Sequence, residues 1–233
     1  MNDTEPCRRL DEVRARIAAA AAAAGRDAAG VRLLAVSKTF APPALAALAA
    51  CGQRDFGENY LQEALPKIAA LRDAHPDLCW HFIGPLQSNK TRDVAAHFDW
   101  VHSVERLAVA QRLSRQREGR EPLQVCVQVN VSGEASKSGV DPAQLDELAH
   151  AVAALPNLRL RGLMAIPAPA ATMAAQRAPL ARLRELFERL RSGGLELDTL
   201  SMGMSADLEA AVLEGATLVR VGSALFGARS KPA

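Results

Sequence analysis

Apolar positions recur along the chain in two alternating rhythms. Leu10, Val13 and Ile17, continued by the alanines of residues 18–24, make a stripe at helical spacing that ends near Gly25. Residues 31–36 are a short, nearly continuous apolar run and predict a strand. Residues 42–50, opened by proline and carrying Leu45 and Leu48, predict a short helix. A second strand is expected over 54–57. Leu61, Leu65, Ile68 and Leu71 then form a helical face that stops before His75-Pro76. Residues 80–84 and 100–103 are the third and fourth strands. The turn of 85–90 leads into one helix, and Leu107, Ala110 and Leu113 mark the next.

Leu123, Val125, Val127 and Val129 alternate with Gln124, Cys126, Gln128 and Asn130, which is the period of a strand. After the loop 132–139, Asp141-Pro142 predicts a helix cap with proline at the first position, and Leu145, Leu148, Val152 and Leu155 give the buried stripe. Strands over 158–166, 196–202 and 217–221 complete the series, with helices over 180–190 and 205–213 between them. Strands alternating with helices along 233 residues predict an α/β fold. The expected form is a single (β/α)8 TIM-type barrel with an extra N-terminal helix over 1–25 packed on it. An open doubly wound sheet is the alternative, but no Gly-x-Gly-x-x-Gly follows the first strand. No composition break divides the chain, and Ser192-Gly193-Gly194 is loop, so residues 1–233 are taken as one domain.

Composition narrows this only modestly. An apolar fraction of 49%, a charged fraction of 23% and a net charge of +2 are ordinary for a globular protein. They give no reason to expect nucleic acid or a membrane as the main partner. No basic segment followed by an apolar core opens the chain, and no apolar stretch reaches membrane-spanning length, so a cytoplasmic protein is expected. Cys7, Cys51, Cys79 and Cys126 are scattered, without a CxxC pair or a histidine at metal-ligand spacing. Reduced, mostly buried thiols are expected, with no metal site.

The chemistry-bearing residues gather where the predicted strands end. They are Lys38, Asn59, His81 with the loop 84–90, Asn130 with the loop 132–137, Met164, and the segments 201–205 and 220–223. A barrel builds its active site at that rim. Lys38 alone could simply mark where a strand meets water. Burial would lower its pKa and expose a nucleophilic amine able to condense with a carbonyl compound. Ser205 reads as an N-cap, yet a hydroxyl and free amides at a helix start also hold phosphate. Gly222-Ser223 offers the same groups after the eighth strand. Arg220 interrupts an apolar strand, where a cation needs a partner. That partner could be Glu58, Asp198 or the ring nitrogen of a bound cofactor.

Seven segments in order carry a resemblance. They are Leu34-Ala35-Val36-Ser37-Lys38-Thr39, Phe56-Gly57-Glu58-Asn59-Tyr60, the run from Trp80 to Lys90, the run from Val129 to Gly139, Gly162-Leu163-Met164-Ala165-Ile166, the run from Leu200 to Asp207, and the run from Arg220 to Gly227. Together the chain resembles the pyridoxal 5′-phosphate homeostasis protein family, single-domain relatives of the alanine racemase barrel. The resemblance implies an alanine racemase N-terminal-domain-like fold and pyridoxal 5′-phosphate as cofactor, held as a Schiff base on Lys38. It implies phosphate contacts from Ser205, Gly222 and Ser223, with Arg220 at the pyridine nitrogen, which weakens the ring as an electron sink. Asn59, Met164 and Met202 would line the cofactor. Position 223 is often threonine in the family, and Ser223 keeps the hydroxyl. Lys137 is either a second amine for the aldehyde or a solvated loop lysine.

Two functions remain open: a pyridoxal-phosphate-dependent amino-acid racemase, or a carrier that holds the cofactor without turnover. A racemase needs a base on each face of the substrate α-carbon. The second base of two-domain racemases is a tyrosine from another domain, and Tyr60, the one tyrosine here, follows the second strand, where packing or hydrogen bonding is its expected role. The chain also ends soon after its eighth strand. The expected function is therefore intracellular vitamin B6 homeostasis: storage, buffering and delivery to apo-forms of pyridoxal-phosphate enzymes. A monomer or weak dimer is expected.

Overall fold

The computed structural model describes residues 4–134 and 138–227. Helix α1 (Glu5–Ala23) and a 3-10 turn (Ala28–Gly30) precede strand β1 (Arg32–Val36). Then α2 (Pro42–Ala50), β2 (Asp55–Glu58), α3 (Leu61–Leu71), β3 (Cys79–Phe82), α4 (Thr91–His97), β4 (Trp100–Val104), α5 (Leu107–Gln116) and β5 (Leu123–Gln128) alternate. They continue as α6 (Leu145–Ala153), β6 (Leu158–Met164), α7 (Met173–Ser192), β7 (Thr199–Ser201), α8 (Leu208–Leu213), β8 (Leu218–Val221) and α9 (Ser223–Phe226). All strand pairs are parallel, and β1 pairs with both β2 and β8, so the sheet closes into an eight-stranded barrel.

Successive strand residues face opposite ways. Leu33, Ala35, Phe56, Val125 and Val127 join the large apolar layer between the strands and the helices. Their neighbours in sequence point inward and form two small clusters, Leu34 with Val36, Ile83 and Leu218, and Trp100 with Cys126 and Met164. Between these clusters the interior is polar: His81, His102, Ser201 and Arg220 are all buried. His81 therefore lies inside the barrel on β3, hydrogen bonded to Asp55 at the start of β2, and not at the rim where its place in the sequence suggested.

Helix starts depart from the pattern for local reasons. The Asp141 carboxylate accepts from the Ala143 N–H at 2.8 Å, so Asp141-Pro142 shapes a turn and α6 begins only at Leu145. Ser205 opens a turn as well. Asp207 accepts from the Met204 N–H at 2.7 Å, and α8 starts after it, so Ser205 is not the helix cap. Helix α7 begins at Met173, where the Thr172 hydroxyl accepts from the Ala175 N–H; its first two turns lie mostly exposed and carry no apolar stripe, so the pattern marked only 180–190.

Helix α1 lies against α8 and α9. Its Arg16 donates to both carboxylate oxygens of Glu209 at 2.7 and 3.0 Å, and to the Ser205 carbonyl at 3.0 Å. The first turn of α1 meets the end of α2, where Cys7 and Cys51 form a disulfide with Cα atoms 5.2 Å apart. That corrects the expectation of reduced thiols throughout: 44 residues of sequence separate the pair, and only packing brings them together. Cys79 and Cys126 are free. Among the described residues no helix is long and apolar enough to cross a membrane.

One buried ion pair ties β1, β2 and α3. Lys67 donates to Glu58 Oε1 at 2.8 Å and to the Ser37 carbonyl at 2.9 Å, and the Ser37 hydroxyl donates to the same carboxylate oxygen at 2.6 Å. Burial pushes the Glu58 carboxyl up, opposed by the hydrogen bonds from Lys67 and Ser37.

Removing one member of such a pair leaves the other charge buried. Glu58→Ala is expected to cost about 3–5 kcal/mol in urea denaturation, and Glu58→Leu with Lys67→Met together to cost less than Glu58→Ala alone. An unchanged Glu58→Ala midpoint would show that the pair does not hold these elements. Thiol labelling of denatured, unreduced protein should count two cysteines and, after reduction, all four. Reduction should lower stability by about 2–4 kcal/mol.

Candidate functional site

The strand ends of β1, β2, β3, β6, β7 and β8 surround a cavity of about 270 Å³ at the carboxyl rim. Lys38, Asn59, Ser205, Arg220, Gly222 and Ser223 all line it. The apolar wall comes from Val36, Ile83, Ile166 and Met204. A neighbouring cavity of about 380 Å³ shares Asn59, Ile83, Ile166 and Met204 and extends the space toward Gln128 and Ser138. Two larger depressions, of about 560 and 540 Å³, lie by Asn130 and Arg182 and by Arg14 and Gln53. Neither gathers an amine, a buried cation and paired hydroxyls, so the convergence of groups, not volume, marks the site.

Lys38 leaves β1 from a clamped backbone. The Ser37 N–H donates to the Gly57 carbonyl at 2.9 Å, and the Ser37 carbonyl accepts from Lys67 at 2.9 Å. On the other side Thr39 has φ +70°, a left-handed conformation that costs a β-branched residue free energy. Its N–H donates to Glu63 at 2.8 Å, which holds it there. Lys38 itself is half-buried at the mouth.

Asn59 follows β2, with its Oδ1 buried and without a hydrogen-bond partner among the described residues. Gly84 backs it: a Cβ there would fall 2.1 Å from the Asn59 carbonyl oxygen, so no other residue fits beside this backbone. An orphaned buried acceptor, here in the lining of the cavity that also holds Lys38, is costly unless something binds it.

On the far side the Ser223 hydroxyl donates to the Ser205 hydroxyl at 3.3 Å. Gly222 lies against β1, where a Cβ would come 3.1 Å from the Val36 carbonyl. The close approach of β8 to β1 thus brings Ser223 within the same cavity as Lys38.

Arg220 is only 4% exposed. It donates to Ser201 Oγ and to the Ala165 carbonyl, both at 2.7 Å. Neither carboxylate proposed from the sequence meets it: Glu58 pairs with Lys67, and Asp198 binds Arg161. Among the described residues no carboxylate forms an ion pair with Arg220. Burial pushes its pKa down to about 10, so it remains a cation at neutral pH in the lining of the cavity.

Met164 and Met202 do not line the cavity. Met164 points into the barrel against Trp100 and Cys126, and Met202 packs in the layer beneath the helices. Met204, two residues on, takes the lining position together with Ile83 and Ile166. Ile83 and Ile166 lie just past the ends of β3 and β6 and could have been read as rim residues on that ground, whereas only closeness to Ser205 points to Met204. Tyr60 is 51% exposed, makes no side-chain hydrogen bond among the described residues and is not part of the lining, so the packing or hydrogen bonding expected of it is not seen. Lys137 lies outside the described residues. Asp55, Cys79 and His81 come together at the base of the barrel, which no spacing in the sequence suggested. There Asp55 and Cys79 both contact His81, and the Arg32 guanidinium 3.7 Å from Asp55 disfavours further positive charge.

The alanine racemase, N-terminal domain, family model matches residues 9–230. The pyridoxal phosphate homeostasis protein of Pseudomonas aeruginosa is 67% identical over 221 residues, covering 94% of each chain. That of Escherichia coli strain K12 is 51% identical over 231 residues, covering 98% of each. PipY of Synechococcus elongatus, solved without and with PLP bound, is 41% identical and superposes with TM-scores of 0.86 and 0.84 over 96% of this chain and 100% of that one. The alanine racemase of Corynebacterium glutamicum, at 20% identity and a TM-score of 0.66, shares the fold over 93% of this chain and 60% of its own. With such identities along nearly its whole length, the chain belongs to the pyridoxal phosphate homeostasis protein family, built on the alanine racemase N-terminal domain.

Proposed function

We propose that this chain binds pyridoxal 5′-phosphate in the rim cavity, holds it covalently on Lys38 as a Schiff base, and releases it in the service of vitamin B6 homeostasis. One observation carries the reading: an amine, a buried guanidinium without a carboxylate, an orphaned amide oxygen and two adjacent hydroxyls converge on one cavity. Relatives named for pyridoxal phosphate homeostasis, and a PLP-bound PipY, support the choice of ligand.

The residues fit the group. Lys38 is the amine in the lining and would hold the cofactor through its aldehyde group. Ser205 and Ser223 would bind the phosphate through their hydroxyls, with Gly222 leaving room for its approach. Arg220 would donate to the pyridine nitrogen and, as a cation, keep that nitrogen unprotonated. Asn59 would orient the ring's polar edge, and Met204, Ile83 and Ile166 would form the apolar walls in the place first given to Met164 and Met202. Residues 1–233 act as one binding unit, since α1 grips the Ser205 carbonyl through Arg16.

The cavity favours carrier over racemase. Its lining holds one amine and one guanidinium as its titratable side chains, and no second base opposes Lys38 among them. Ile166, Met204 and Ser223 are exposed, so the mouth opens to solvent, where a bound aldehyde can exchange with other amines. That openness supports storage, buffering and transfer to apoenzymes; racemisation asks for water exclusion.

Purified protein mixed with pyridoxal 5′-phosphate should develop an absorbance band near the visible edge that Lys38→Ala abolishes. Persistence of the band in Lys38→Ala would move the anchor to another lysine. Ser205→Ala and Arg220→Ala should form the band yet lose the cofactor about 10- to 100-fold more readily on dialysis, as expected for losing a charge-assisted contact. Loaded protein incubated with a panel of L- and D-amino acids should show no sustained α-proton exchange; turnover would establish the racemase instead.

A further inference from the structure

A polar line runs through the barrel interior behind Arg220. It begins at Arg220 Nη1, which lies 2.7 Å from Ser201 Oγ. Ser201 Oγ is 2.7 Å from His102 Nδ1, and His102 Nε2 is 2.9 Å from His81 Nδ1. His81 Nε2 is 2.9 Å from Asp55 Oδ1, at the amino end of the barrel. Five strands thus contribute one residue each: β8, β7, β4, β3 and β2. His81, His102 and Ser201 are fully buried.

The two ends set the direction of the whole line. A guanidinium can only donate, and a carboxylate can only accept. Between them a single arrangement satisfies every contact with neutral imidazoles. Arg220 donates to Ser201, the Ser201 hydroxyl donates to His102 Nδ1, His102 Nε2–H donates to His81 Nδ1, and His81 Nε2–H donates to Asp55. Reversing the imidazoles would turn the bare His81 Nε2 toward the Asp55 carboxylate and leave the Ser201 proton without an acceptor in the line. Burial holds both imidazoles below their ordinary value, and the Arg220 and Arg32 cations act on His102 in the same sense. Other groups facing the line are Cys79, 3.3 Å from His81 Nε2, and Arg32, 3.7 Å from Asp55.

An apolar filling would hold the barrel at less desolvation cost. What this line does that an apolar filling cannot is aim a cation. We propose that Ser201, His102, His81 and Asp55 are positioning residues for Arg220, a one-way hydrogen-bond relay that fixes the guanidinium in the cavity and links its polarity to a carboxylate at the opposite end of the barrel. The inference rests on the reading that a pyridine ring occupies the cavity. Among the described residues no carboxylate pairs with Arg220, so its charge is left for the ring nitrogen, and Asp55 orders the donors behind it through four contacts. A relay of this kind couples residues that never touch the ligand to its affinity.

The experiment has two arms. In the first, histidine side-chain 15N spectra of the cofactor-free wild type are read at neutral pH. His81 and His102 should both be neutral with the proton on Nε2. A charged imidazole, or a proton on Nδ1 in either, overturns the relay without requiring any variant. In Asp55→Leu the two tautomers should redistribute, whereas Asp55→Asn, which keeps an acceptor, should preserve them.

In the second arm, dissociation constants for pyridoxal 5′-phosphate form a double-mutant cycle. Ser201→Ala should weaken binding about 3- to 30-fold in the wild-type background and have no effect in an Arg220→Ala background. Ser201→Thr, which keeps the hydroxyl, should restore the wild-type value. Equal losses in both backgrounds would reduce Ser201 to a structural role and overturn the proposal. A wild type that does not bind pyridoxal 5′-phosphate at all would refute the cofactor reading, and the first arm would still decide the direction of the hydrogen bonds.

Discussion

Barrel closure is the constraint on which the site depends. Leu34 of β1 lies in register with Arg220 of β8, and Ala35 with Val221. That pairing places the residues after β1 beside the residues after β8, although they come from opposite ends of the chain. Lys38 and Ser223 share a cavity for this reason alone. Glycine at position 222 permits the approach, since a side chain there would press on the Val36 carbonyl. Were the sheet open between β1 and β8, the amine and the hydroxyl pair would sit on opposite edges.

Closure also buries an interior away from bulk solvent, and the polar side chains that fill it hydrogen bond to one another. This barrel answers with apolar clusters at two levels and a polar line between them. The cost of burying Arg220 is met by a hydroxyl and a carbonyl, not by a carboxylate. A carboxylate would neutralise the cation that the rim cavity presents. Outside the barrel wall a buried cation does meet a carboxylate: Glu58, Lys67 and Ser37 lock β1 and α3 together beside Lys38. The left-handed backbone at Thr39 is sustained by the Glu63 contact and adds a fixed exit angle for the lysine. Rigidity below the rim and openness at the mouth suit the holding and release of a cofactor proposed for this cavity.

Much of the fold was legible because its signals are local. The alternation of Val125 and Val127 with Cys126 and Gln128 records a strand with two buried faces, and the structure separates these residues into two layers. Lys38, Asn59, Ser205 and Ser223 were legible because a parallel barrel places strand ends at one rim whatever its details. Helix starts were less so: the first turns of α7 face solvent and leave no stripe, and Asp141 spends its carboxylate on a turn. Met164 and Met202 were misplaced because the chain near a strand end alternates between interior, helix layer and rim within a few residues, and one position of error changes the compartment.

By itself the sequence determined the order of elements, the parallel barrel and the family to which the chain belongs, since periodicity and contiguous motifs are properties of neighbours in the chain. Tertiary structure alone decided that Cys7 meets Cys51, that Arg220 meets Ser201 and not Glu58 or Asp198, and that His81 and His102 stand in one line to Asp55. Each of those contacts joins residues far apart in sequence: the disulfide depends on how α1 packs against the end of α2, and the others on the register of strands around a closed sheet. Register is a sum of many weak pairings, and no single stretch of residues records it.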